Sequence, residues 1–250
     1  MVRFNLPVLL ILVLGQFSMG GPVRGVAHAA KPGIHVRLAV AQRAARTGTV
    51  EGRVIYKTDR KRSWRYARYY VKDRRKGFLA EAVVCLKGKS LKKLARPTRS
   101  KTTVINQKNL RFVPETIAIR AGDRVKFTNS DPSTHNVSSQ GTLHPFDVTM
   151  PFGGSATERF NRAGGSRRPI VLGCKFHSQM QAWIYVFDHP FFTVTAADGR
   201  YRFTGVPPGT YRIEIMHSAG GLRTSRLVVV RAGQTTTIDL TVSPDNRIKQ

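Results

Sequence analysis

Pro169-Ile170-Val171-Leu172-Gly173-Cys174-Lys175-Phe176-His177-Ser178-Gln179-Met180 is the stretch from which the rest of the chain is read. An apolar run ends in Cys-x2-His-x2-Met, and a second apolar run, Ala182–Phe187, follows. A thiolate, an imidazole and a thioether in one loop suit copper better than other common metals. Sulfur ligands favour soft Cu(I), and imidazole serves both oxidation states. A second imidazole is available upstream, in the polar turn Asn129-Ser130-Asp131-Pro132-Ser133-Thr134-His135-Asn136. His135, Cys174 and His177 would then form a trigonal plane, with Met180 as a weak axial ligand.

Other readings compete residue by residue. Cys85 and Cys174 are the only cysteines, and in an exported chain they are candidates for a disulfide. His144, in His144-Pro145-Phe146-Asp147, is a rival ligand, although no asparagine follows it as Asn136 follows His135. Met180 alone would be core filler. The conjunction of loop, flanking strands and upstream Thr-His-Asn turn favours copper.

At these residues, over roughly 102–188, the sequence resembles the cupredoxins, the blue-copper electron carriers. The short Cys-x2-His-x2-Met loop is most similar to that of amicyanin; plastocyanin-like loops are longer. The resemblance implies His135, Cys174, His177 and Met180 as ligands to one type 1 copper. It implies Asn136 as the residue that ties the His135 loop to the Cys174 loop. It also implies His177 as the ring edge that passes the electron, with Phe176, Phe146, Phe152 and Pro151 as an apolar docking patch. Lys175-Phe176 departs from the family, which has a proline before the histidine.

The remaining segments alternate in the manner of strands. Short apolar stretches at Thr102–Asn106, Thr116–Arg120, Arg124–Thr128 and Ala156–Asn161 are separated by Gly, Pro, Asn and Asp, the pattern of a β-sandwich. Beyond Phe187, Phe192–Phe203 reads as a hairpin turning at Asp198-Gly199. Strands follow at Val206–Ile215, Leu222–Val230 and Thr235–Val242. The phrase Asp198-Gly199-Arg200-Tyr201-Arg202-Phe203 with Val206-Pro207-Pro208-Gly209-Thr210-Tyr211 resembles the carboxypeptidase regulatory-like module, a transthyretin-like sandwich. The strands that normally begin that module occur here at 48–56 and 82–84, before the copper segment. The expectation is therefore an all-β protein. A Greek-key cupredoxin sandwich, 102–188, is inserted between the two parts, 47–95 and 190–243, of a second sandwich.

Residues 1–29 read as a secretory signal, with Arg3, the apolar run Leu6–Leu14, and cleavage after Ala29 or Gly20. No cysteine stands near either site, which excludes a lipoprotein anchor. A periplasmic protein is expected, with residues 30–46 as a basic tether. The formal net charge over 250 residues is +28. Much of it lies between Lys57 and Lys101, a field suited to acidic proteins or an anionic membrane surface. Arginines interleaved with aromatics at Trp64–Tyr70 have the look of a base-stacking surface, but export argues against nucleic acid.

The function expected is a non-enzymatic electron carrier serving an acidic redox partner, whether dehydrogenase, oxidase or cytochrome. The alternative is a copper-scavenging or polyanion-binding module. Catalysis of the multicopper kind needs His-x-His pairs, and none occurs. His189 and His217 are expected to be structural.

Overall fold

A computed structural model describes residues 46–57, 71, 75–92, 94 and 99–246. The signal at 1–29, nearly all of the tether at 30–46, and the basic stretches 58–70, 72–74 and 95–98 lie outside the described residues. No helix among the described residues is long and apolar enough to cross a membrane.

The described chain is built of strands in four sheets. The first sheet contains β1 (Gly48–Tyr56) and β13 (Arg200–Val206), with β16 (Thr235–Thr237) and β17 (Leu240–Val242) both parallel to β1. The second runs β12 (Phe192–Val194), β2 (Val83–Lys87), β14 (Gly209–His217), β15 (Leu222–Val230). The third runs β5 (Thr116–Arg120), β11 (Gln181–Phe187), β10 (Ile170–Gly173), β7 (His135–Ser139), β8 (Phe146–Met150). The fourth runs β4 (Phe112–Val113), β3 (Thr102–Gln107), β6 (Asp123–Asn129), β9 (Ser155–Phe160). Thus β1 and β2 pair with strands that begin at residue 192 or later, while the strands of 102–187 pair with one another.

Alternation along the strands stacks these sheets in order. Val84 and Leu86 on β2, with Ile213 and Ile215 on β14, enter the core against the first sheet. Their neighbours Val83, Cys85 and Met216 point the other way, onto Tyr185 and Phe187 of β11. The opposite face of β11, with Ala182, Ile184 and Val186, enters the core against the fourth sheet. Strands covered on both faces carry almost no polar residues, which is why β2 and β11 read as continuous apolar runs. The middle layer is sealed by Phe187 and Phe192, stacked with centroids 4.7 Å apart. Burying its five fully enclosed side chains is worth on the order of 10 kcal/mol before the entropy of ordering them. Polar ties cross the same seam: Tyr185 Oη to Ser218 Oγ at 2.6 Å, and Glu81 Oε2 accepting from the Thr116 backbone at 3.0 Å.

Three expectations are corrected here. Residues 192–203 do not form a hairpin: β12 joins the second sheet and β13 the first, so Asp198-Gly199 turns the chain from one sheet to the other. Gly199 adopts φ +67°, and a Cβ there would lie 2.6 Å from the Val54 carbonyl oxygen. Thr235–Val242 is two short strands, not one, because Asp239 between them leaves the ladder and accepts from the Arg53 backbone at 2.8 Å. The third concerns Phe146, expected in an apolar docking patch and found at the start of strand β8. The ring of Phe146 stacks on Phe127, centroids 5.6 Å apart, so it belongs to the core and not to a docking patch.

Candidate metal centre

One end of the third sheet carries the chemistry. His135 opens β7, and Cys174 follows the last residue of β10. The connection from Cys174 to Met180 returns the chain into β11. It is closed by the Met180 amide donating to the His177 carbonyl at 3.0 Å.

His135 and Cys174 are buried, and His177 is half-buried; one donor atom from each lies within 4.8 Å of the others. The two Nδ1 atoms are 3.1 Å apart, and Cys174 Sγ is 3.6 Å from His177 Nδ1. With metal–nitrogen bonds of about 2.0 Å and a metal–sulfur bond of about 2.3 Å, these separations subtend about 100° and about 115° at a single ion. Those two separations match a single ion, and the three donor atoms together lie within 4.8 Å of one another. The side chain of Met180 is buried in the same core cluster as Cys174.

Asn136 ties the two loops together. Its amide donates to Cys174 Sγ at 3.4 Å, and its Oδ1 accepts from the Lys175 amide at 3.4 Å. Its Nδ2 donates to Asp147 Oδ1 at 2.7 Å. Lys175, where the resemblance leads one to expect a proline, ion-pairs through Nζ with that same Asp147. The Lys175 ammonium, with the Asn136 amide, holds the Asp147 carboxyl below its ordinary value. Side-chain ties to β8 thus constrain the loop where a proline ring is missing.

Asp131 was not singled out by sequence reasoning. Its Oδ2 lies 2.8 Å from His135 Nε2. Burial pushes this carboxyl up, but the Leu110 and Asn109 amides and the His135 ring outweigh it and hold it below the ordinary value. An ionised carboxylate accepts the Nε2 proton, which leaves Nδ1 with its lone pair towards the other donors. Asn129 shapes the same turn: its Oδ1 accepts from the Asp131 amide at 2.9 Å, and its Nδ2 donates to the Ser133 and Met150 carbonyls. The i, i+4 spacing of Asp131 and His135 was the available signal, hidden in what reads as an ordinary polar loop.

The rival residues are placed elsewhere. His144 Nε2 is 3.2 Å from Glu158 Oε2, and its ring packs on Phe160. Cys85 and Cys174 are both free thiols, in separate clusters, so they form no disulfide. His189 and His217 are buried, each accepting a backbone amide at Nδ1. At the protein surface beside His177, Phe176 is exposed; Phe152 and Pro151 are exposed as well.

The family model of the carboxypeptidase regulatory-like domain matches residues 181–243. No curated protein is similar to the chain. Among solved structures, the chain is similar to a reduced mutant amicyanin at 19% identity, covering 34% of this chain and 80% of that one, with a TM-score of 0.30. A Cu(I) mutant amicyanin is 15% identical over 43% of this chain and 99% of that one, TM-score 0.31. A copper-containing nitrite reductase from Thermus scotoductus SA-01 is 22% identical over 38% of this chain and 24% of that one, TM-score 0.31.

Proposed function

We propose that the protein is an exported type 1 copper protein that carries single electrons. In this reading His135, Cys174 and His177 would hold the metal, and Met180, buried in the same core cluster as Cys174, would supply a weaker thioether ligand. The observation that carries it is the convergence of one sulfur and two imidazole rings, with donor atoms within 4.8 Å of one another. Copper held there would alternate between Cu(II) and Cu(I), one electron at a time.

The chain's part is to hold the donors still. Asn136 fixes the sulfur by a backbone N–H, Asp131 fixes the tautomer of His135, and strand β7 keeps both histidine and asparagine in one ladder. A donor set that does not move between oxidation states lowers the reorganisation each transfer requires. His135 is fully enclosed, whereas His177 is half-buried beside exposed Phe176. That contrast supports His177 as the point of electron entry and exit. The charge of +28 supports an acidic redox partner, with faster encounter at low salt. We read the flanking strands as one carboxypeptidase regulatory-like module interrupted by the copper-binding segment, a reading supported by the pairing of β2 with β12 and β14.

The test is a visible absorption spectrum of the Cu(II)-loaded protein beside Cys174→Ser and Cys85→Ser. An intense blue thiolate-to-copper band, retained in Cys85→Ser and absent from Cys174→Ser, is expected. A colourless wild-type protein under copper loading overturns the proposal. Reversible voltammetry then separates a carrier from a scavenger, which need only hold Cu(I).

A further inference from the structure

A second site lies at the seam between the two sandwiches, away from the metal centre. Strand β11 runs from Gln181, next to Met180, to Phe187, and at about 3.3 Å per residue its two ends are roughly 20 Å apart. At the Phe187 end is a cleft of about 450 Å³. This falls within the range of pockets that enclose small organic ligands.

The cleft is closed from behind by Phe187 and Cys85, each 2% exposed, and its accessible wall carries Ala163, Gly164 and Gly165 with no polar side chain among them. Its rim is basic: Lys87 and Lys89 on one side, Arg167 and Arg212 on the others. All four side chains are exposed. Asp188 is the single carboxylate in the lining. Part of the basic charge is already committed, since Lys87 Nζ lies 3.5 Å from the buried Glu214, and Arg212 donates to Ser225. Arg167 and Lys89 have no ion-pair partner among the described residues.

One wall is held rigid from both sides. The Gly165 amide donates to the Val186 carbonyl at 2.9 Å, and Ser166 Oγ donates to Glu214 Oε2 at 2.5 Å. Gly164 admits no side chain, because a Cβ there would meet the Arg168 carbonyl oxygen at 2.1 Å. A cleft whose walls belong to two packed sandwiches is formed before any ligand arrives, which reduces the ordering cost of binding.

We propose that this cleft binds a small organic anion. A carboxylate or phosphate head would meet Arg167, Arg212 and Lys89, and an aromatic body would lie against the wall formed by Ala163, Gly164 and Gly165. Guanidinium forks match either headgroup, and the wall at Ala163, Gly164 and Gly165 favours an organic body over an inorganic ion. The cleft is independent of the metal centre and of its loading.

The experiment titrates the full chain with phenyl phosphate, followed by calorimetry and by the amide resonances of Gly164 and Gly165. At moderate salt, saturable one-to-one binding that shifts both amides is expected. Arg167→Glu and Arg212→Glu are expected to weaken it tenfold or more, while Arg124→Glu, an exposed charge on β6, leaves it unchanged. Equal weakening by Arg124→Glu would overturn the site in favour of diffuse attraction to a basic chain. So would shifts scattered over the surface with none at Gly164 and Gly165, a readout that needs no variant to fold. Inorganic phosphate binding as tightly as phenyl phosphate would overturn the organic ligand class.

Discussion

Asp131 Oδ2 accepts from His135 Nε2 at 2.8 Å, and the same carboxylate accepts the amides of Asn109 at 2.6 Å and Leu110 at 2.8 Å. Asn109 and Leu110 both have φ near +55°, at 55° and 56°. A left-handed conformation costs non-glycine residues about 1–3 kcal/mol each, so Asp131 stabilises a strained loop while it orients the His135 ring, a ligand in the proposed copper site. Asp131→Asn keeps one acceptor oxygen but removes the charge. We expect it to fold and to bind copper about 10–100-fold more weakly, the range for partners of metal-ligating histidines. Chelator competition measures this; unchanged affinity would show that Asp131 serves the loop alone.

Phe187 joins the two sandwiches, stacked between Tyr185 and Phe192 and 2% exposed. Phe187→Ala should destabilise the protein by about 3–5 kcal/mol. Because the side chain belongs to the shared layer, both sandwiches should respond. Thermal unfolding followed separately at the metal centre and by far-UV dichroism should shift together. A metal-centre transition that does not move would mean that the stability of the strands of 102–187 is independent of the seam.

The gathering of His135, Cys174 and His177 at one sheet end was legible because three donor types within seven residues, with a histidine turn upstream, leave few alternatives, and strand alternation around them was equally plain. What escaped the sequence was partner choice. Phe192–Val194 and Arg200–Phe203 have the alternation and the Asp-Gly turn of a hairpin, and local pattern cannot say that they enter different sheets. Phe146 was misplaced because His-Pro and Pro-Phe-Gly-Gly on either side look like loop. Five residues between two such breaks are still enough for β8. Asp131 was invisible for another reason: a carboxylate in an Asn/Ser/Pro turn reads as solvated until the fold buries it.

The sheet-crossing turn yields a backbone prediction. Gly199 has φ +67°, and its amide donates to the Ala196 carbonyl at 2.9 Å. Gly199→Ala adds a left-handed alanine and a contact on the Val54 carbonyl oxygen. The expected loss is about 2 kcal/mol or more, read from urea unfolding. Gly153→Ala is the control. It too has positive φ (74°), but nothing lies within 4 Å of its Cβ position, so it should cost less. Equal losses would mean that conformation, and not the close approach, decides the site.

His217 sets an acid limit on stability. Burial pushes its pKa down to about 4 from an ordinary 6.5, against the opposing effect of backbone hydrogen bonds. The unfolded chain therefore takes up a proton between pH 6.5 and 4 that the folded chain refuses. The stabilisation is complete above pH 6.5, is lost as pH falls through this window, and stops changing below about 4. At 1.36 kcal/mol per pH unit the loss approaches about 3 kcal/mol. His217→Gln places a neutral amide on β14 and should flatten this part of the stability–pH curve, whatever its effect on stability at pH 7. Chemical denaturation at half-unit steps from pH 4 to 7 measures it on metal-free protein, where ligation does not contribute. A slope that persists unchanged in His217→Gln would assign the acid sensitivity to other groups.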